Sequence, residues 1–150
     1  VFTSMRYFAN IETVRQKKEP EAAKKPAQEK LLNPEYADKI DAMMRNQKPY
    51  LMADITLDIL ADKLAISARD LSMIINRHFD NNFYEFINSY RIEEAKKLLR
   101  DDKIKTVTDI YLEVGFNSKS VFNTFFKKIV GSTPTQYRQE SDKETDKAAG

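Results

Sequence analysis

One apolar pattern occurs twice in this chain, and the copies are separated by a nearly constant number of residues. Leu60, Leu64 and Ala65 recur as Ile110, Val114 and Gly115 at an offset of 50. Leu71, Ile74, Ile75 and Phe86 recur as Phe122, Phe125, Phe126 and Tyr137 at an offset of 51, so one extra residue falls in the second copy's turn. Self-similarity of this kind means that one supersecondary unit is built twice. Within each copy the apolar residues follow the i, i+3, i+4 spacing of a single helix face.

The elements around the repeat are helical as well. Asn33 followed by Pro34 predicts an N-cap and a first helical residue, after which Tyr36, Ile40, Met43 and Met44 share a face in a helix that ends before Pro49. Thr56 precedes a helix of about two turns carrying Leu57, Leu60, Ala61 and Leu64. Ser67 caps the next, whose stripe is Leu71, Ile74, Ile75 and His78. A long helix spans Phe83 to Arg100 and stops at Asp101 and Asp102. Thr108 begins a short helix with Ile110, Tyr111 and Val114, Gly115 makes the turn, and Asn117 or Ser118 caps a helix with Phe122, Phe125, Phe126 and Ile129. Pro134 opens a last short helix ending near Arg138. The expected fold is all-α, with about seven helices and two helix-turn-helix units, about 56–82 and 106–130, joined by the long linker helix.

Composition agrees with a helical chain and removes several functions. There are only 3 Gly in 150 residues, with 41% hydrophobic and 32% charged side chains. Zero Cys excludes disulfides, thiolate zinc sites and thiol nucleophiles, and a single histidine, His78, leaves little for a histidine metal cluster or a catalytic triad. No catalytic residue, metal or cofactor is therefore expected. Glu93 with Glu94 and Asp101 with Asp102 are adjacent carboxylates that point apart on a helix. A hydrolase built on them is a remote alternative.

Residues 1–30 read as a tether, because Glu12 to Lys30 mixes charge, Ala and two prolines with few large apolar residues. Val1 to Phe8 is more apolar and fits the trailing end of a preceding element. Residues 31–138 form the expected domain, and 139–150 read as a flexible tail without apolar periodicity. The formal net charge is only +2, but it is uneven: Ile104 to Arg138 carries +3 and Thr56 to Lys103 carries −1. A basic footprint would have to be local.

A short helix, a tight turn and a second helix with a polar outer row form a helix-turn-helix, whose second helix can enter the major groove. An all-helical bundle that happens to repeat, or a protein-binding helical module, is the alternative. Duplication favours the first reading, since two polar rows need something to occupy them. The second row is Lys119, Ser120, Asn123 and Lys127, with donors and no acid; the first is Arg69, Ser72 and Asn76, with Met73 at its edge. Both suit an anionic, hydrogen-bonding partner.

The run from Ile110 through Gly115, Phe116, Asn117, Ser118 and Phe126 to Lys128, followed by Gly131 to Arg138, resembles the signature of the AraC/XylS family of bacterial transcription regulators. Leu60 to Ser67, Leu71 with Ser72, and FYEFINSYRIEEA from Phe83 to Ala95 resemble that family's first unit and connecting helix. The resemblance covers about Thr56 to Arg138. It implies a seven-helix domain that holds two recognition helices in successive major grooves of double-stranded DNA. A helix of 18 residues would be about 27 Å long, against about 34 Å between successive grooves.

By position, Arg69, Ser72 and Met73 fall where the family's first recognition helix meets bases, and Lys119, Ser120, Val121 and Thr124 fall on the matching face of the second. Together with the polar rows and the cap, the expected DNA-binding set is Arg69, Ser72, Met73, Asn76, Ser118, Lys119, Ser120, Val121, Asn123, Thr124 and Lys127. Met73 and Val121 would contact thymine methyls or fill space. Tyr111 departs from the Ala usual in the family, which bears on local packing. The resemblance further implies a cytoplasmic transcription activator with RNA polymerase as partner. NSKSVFN, with KPYL at Lys48 to Leu51, is similar to a subgroup in which the domain follows an upstream membrane or sensor region.

Overall fold

The structure, a computed structural model, describes residues 33–149; the tether expected over 1–30 lies outside the described residues. All regular elements among them are helical. They divide into two compact units, one made of residues 33–49 together with Ile55–Phe86, the other of Tyr50–Asp54 and residues 87–149.

In the first unit, α1 (Pro34–Gln47) begins where Asn33 Oδ1 accepts the Glu35 N–H at 3.0 Å, with proline already fixed at the first turn. It buries Ile40 and Met44 and packs on α3. Helix α2 (Leu57–Leu64) buries Leu60 and Ala61, and α3 (Ala68–Phe79) buries Leu71, Ile74 and Ile75. These two helices pack on each other. Phe79 meets Phe86 edge-on at 4.8 Å, fastening the end of α3 to the start of α4 (Phe83–Asp101).

The second unit takes in the rest of α4, then α5 (Val107–Glu113), α6 (Lys119–Val130) and α7 (Pro134–Ala149). Its core gathers Ile92, Ala95 and Leu99 of α4, Ile110 of α5, Val114 and Phe116 of the turn, and Phe122 and Phe126 of α6. Phe122 is the hub of the rings, lying 5.8 Å from Tyr111, 5.3 Å from Phe116 and 5.6 Å from Phe126. Tyr111, larger than the alanine usual at its position, is thus accommodated by stacking in this core. Arg138 donates from Nε to Leu99 O and from Nη2 to Asp102 O, capping carbonyls that the end of α4 leaves open.

The repeat extends to the caps. Thr56 and Thr106, 50 apart, accept the N–H three residues on, from Ile59 and Asp109; Ser67 and Ser118, 51 apart, do the same for Asp70 and Val121. Asn82 and Thr133, again 51 apart, cap α4 and α7. Both α2–α3 and α5–α6 turns close with the same pair of backbone bonds, Ala65 N to Asp62 O with Ile66 N to Ala61 O, and Gly115 N to Leu112 O with Phe116 N to Tyr111 O. Only the inserted Asn117 separates the two patterns.

Two helix bounds differ from expectation. Helix α5 starts at Val107 because Thr106 and Asp109 form a reciprocal capping box, one residue ahead of the expected Thr108. Helix α7 runs to Ala149, well past Arg138. Lys103 pairs with Asp142 across to this extension, a tertiary tie that local apolar periodicity does not register.

Candidate nucleic-acid interface

Helix α6 is positioned at both ends. Ser118 Oγ accepts the Val121 N–H at 3.3 Å, and Gly131, at φ 91°, terminates it in the left-handed region. Phe122 and Phe126 anchor one side, with Val121, Phe125 and Val130 half-buried beside them. Ser120, Asn123, Thr124 and Lys127 remain exposed on the other side, and Lys119 is exposed as the first residue of the helix, ahead of the core anchors. No acid occurs anywhere in α6, and the free N–H groups of its first turn add positive potential where Lys119 stands. The face offers cationic and neutral donors to an anionic partner.

The turn before α6 is locked by contacts that the repeat pattern does not reveal. Arg91 of α4 is 7% exposed. Its Nε donates to Tyr50 O at 2.7 Å, its Nη2 to Met52 O at 2.9 Å and its Nη1 to Asn88 Oδ1 at 3.1 Å. The same guanidinium lies 5.5 Å from the centre of the Phe116 ring. Tyr50 stacks on Tyr90 at 5.8 Å and donates its hydroxyl to Glu94 at 3.4 Å. Gly115 fits beneath this strap at φ 108°, where an added Cβ would stand 2.6 Å from Tyr50 O and 2.8 Å from Arg91 Nε. Glycine is needed there both for backbone conformation and for space.

The charges flanking α5 are also fixed. Lys105 pairs with Glu113 at 2.6 Å and with Asp102 at 3.6 Å, and the Glu113 bond, ahead of the other causes, raises the lysine's pKa above its ordinary value. Asp102 accepts the Lys105 and Ile104 backbone N–H groups, the former being the main reason its carboxyl stays below the usual range. These groups are committed within the unit, whereas the cations of α6 face outward.

The expected site residues are distributed as follows. Ser120, Asn123, Thr124 and Lys127 come together on one exposed face, Lys119 is exposed at the first position of the helix, Ser118 serves as the cap before it, and Val121 is half-buried against the core. In the first unit Arg69 is exposed and Ser72 half-buried. Met73 and Asn76, each 2% exposed, are buried instead of lying in the outer polar row. The buried stripe of α3 is wider than the i, i+3, i+4 count implied, and the Asn76 amide donates back to Ser72 O at 2.7 Å. Arg91, Tyr50 and Gly115, which set the α6 turn, are not among the expected site residues; Gly115 reads as a turn glycine, while Tyr50 and Arg91 fall inside runs that carry the resemblance without a role of their own. Among the described residues no cluster of His, Cys, Asp and Glu could hold a metal, and no helix is long and apolar enough to cross a membrane.

Comparison with known proteins agrees with this geometry. A family described as "Helix-turn-helix domain" matches residues 60–140. An uncharacterized HTH-type transcriptional regulator of Staphylococcus aureus is 33% identical over 102 residues, which is 67% of this chain and 13% of that protein. The melibiose operon regulatory protein of Escherichia coli is 33% identical over 87 residues, 58% of this chain and 28% of its own length. Among solved structures, the C-terminal domain of the two-component response regulator yesN from Fusobacterium nucleatum aligns with a TM-score of 0.57 at 32% identity, covering 68% of this chain and 96% of that one. The chain spans 11 to 50% of the length of the first curated relatives it matches. With its duplicated helix-turn-helix units, the chain belongs to this helix-turn-helix family, as a sequence-specific DNA-binding domain of the AraC/XylS type of transcription regulator.

Proposed function

We propose that this chain reads double-stranded DNA by laying α6 in one major groove and α3 in the next, as the operator-binding part of a cytoplasmic bacterial transcription activator. The observation that carries the reading is the row Lys119, Ser120, Asn123, Thr124 and Lys127, exposed together on one capped helix within a segment of net charge +3. Phosphate contacts position such a helix, and its N-terminal side chains reach base edges. The exposed Arg69 and half-buried Ser72 on α3 support a second, lesser contact. RNA polymerase is the partner that a DNA-bound activator would engage, and the greater length of the relatives leaves room for a sensor region elsewhere in the same protein, membrane-anchored in the subgroup that NSKSVFN resembles.

The test is selection of a preferred duplex from a random pool, followed by competition against a scrambled duplex over a salt series. The expected result is at least about a thousandfold preference, the lower end for specific binding, with affinity falling steeply as salt rises. Equal affinity for both duplexes would reject sequence-specific reading.

A further inference from the structure

We propose that Thr124 is the residue through which α6 recognises the C5 methyl group of a thymine, an assignment that rests on α6 entering a major groove. Thr124 stands two residues from each of the core anchors Phe122 and Phe126, which at 100° per residue places it about 160° around the helix from both. It is therefore at the pole of the exposed face. Its hydroxyl is already used, because Oγ1 donates to Ser120 O at 2.9 Å. A threonine hydroxyl has one proton, so this one cannot also donate to guanine O6 or N7, nor to thymine O4. What the side chain offers outward is a methyl group and acceptor lone pairs.

The surroundings sharpen that choice. Ser120 and Asn123 supply donors beside Thr124, while Val121, three residues earlier and half-buried, adds a second apolar edge on the neighbouring row. A guanine edge set against this apolar spot would have its acceptors desolvated without a partner, which is costly. A thymine presents its methyl there, and the adjacent donors remain available to the acceptors of the flanking bases. The equivalent position in the first unit, 51 residues earlier, is Met73, which is buried, so the thymine contact belongs to the second unit.

The experiment replaces each thymine of the preferred duplex in turn by deoxyuridine, which lacks only the methyl. The wild-type chain should lose about fourfold in affinity at one position, the equivalent of one methyl group removed from burial. Thr124→Ser, which keeps the hydroxyl and removes the methyl, should abolish that loss. Thr124→Val, which keeps the methyl and removes the hydroxyl, should retain it, and both variants should bind the scrambled duplex like wild type. A flat deoxyuridine scan, or a loss that survives Thr124→Ser, overturns the assignment while leaving sequence-specific binding intact. The opposite pattern, preference lost in Thr124→Val and kept in Thr124→Ser, would show the hydroxyl accepting from an adenine or cytosine amino group and would equally overturn it. If wild type prefers no duplex at all, the thymine assignment fails together with the functional reading on which it rests.

Discussion

Lys119 and Lys127 are both exposed and lie eight residues apart on α6, and their positions predict different work. Lys119 opens the helix, where side chains meet base edges and a lysine can donate to guanine O6 or N7. Lys119→Ala should cost about 1–3 kcal/mol on the preferred duplex and relax specificity there, while Lys127→Ala should weaken all sequences alike and lower the salt slope by about one. Competition binding on preferred and scrambled duplexes at several salt concentrations separates the two; equal losses for Lys119→Ala on both would contradict it. Gly115 and Gly131, both at positive φ, form a second contrasting pair. Gly131 has nothing within 4 Å of an added Cβ, so Gly131→Ala should cost only the left-handed strain, about 1–2 kcal/mol. Gly115→Ala adds an overlap with Tyr50 O and Arg91 Nε, and its total cost in urea unfolding should exceed that of Gly131→Ala by about 1–3 kcal/mol. Equal costs would mean that the strap over the turn yields freely. Residue by residue, the outward row of α6 could be read in advance because it carries a single chemical character on one helix face. Met73 and Asn76 could not, since a periodicity count ranks polarity and misses a stripe five residues wide on α3.

Helix starts were predictable for the same physical reason that they form: Asn33, Thr56, Ser67 and Ser118 are side chains whose oxygens replace missing backbone partners, and each sits just ahead of an apolar row. The capping box of α5 makes a prediction about pH. Thr106 donates both its hydroxyl and its backbone N–H to Asp109, the hydroxyl being the larger cause, and the carboxyl is held below its ordinary value. A carboxylate whose folded pKa is depressed stabilises the fold fully above its unfolded value of about 4, and the contribution disappears as pH falls through the lower folded value. The stability difference between wild type and Asp109→Ala should therefore be constant from pH 7 to about 5 and shrink below about 4, measured by urea unfolding at each pH. A difference that grew on acidification would contradict the capping role. The extension of α7 beyond Arg138 was hidden for the converse reason. ESDKETDK has no apolar face, and its Asp142 pairs with Lys103, 39 residues away in sequence.

At the scale of the molecule, the repeat in apolar spacing extends to the N-caps, the turn hydrogen bonds and the single inserted residue, which is why the all-α class and the two-unit plan are legible in the sequence. The strap from Tyr50 to Asp54 could not. It is grouped with the second unit although it precedes the first helix-turn-helix in the chain, and it is secured by Arg91 through backbone carbonyls that carry no residue-specific signature. With a net charge of +3 for Ile104 to Arg138 against −1 for Thr56 to Lys103, the second helix-turn-helix is expected to contribute more of the salt-dependent affinity than the first, whose Arg69 is followed by the acidic Asp70. Each unit retains an exposed cation on its second helix, so both should touch the duplex. The most direct test is hydroxyl-radical protection of the preferred duplex by the chain as a monomer. Protection extending over about two helical turns, with two patches about 10 base pairs apart on one face, is the result expected of two units each in its own major groove; a single patch confined to about one turn would show that only one of the repeated units reads DNA.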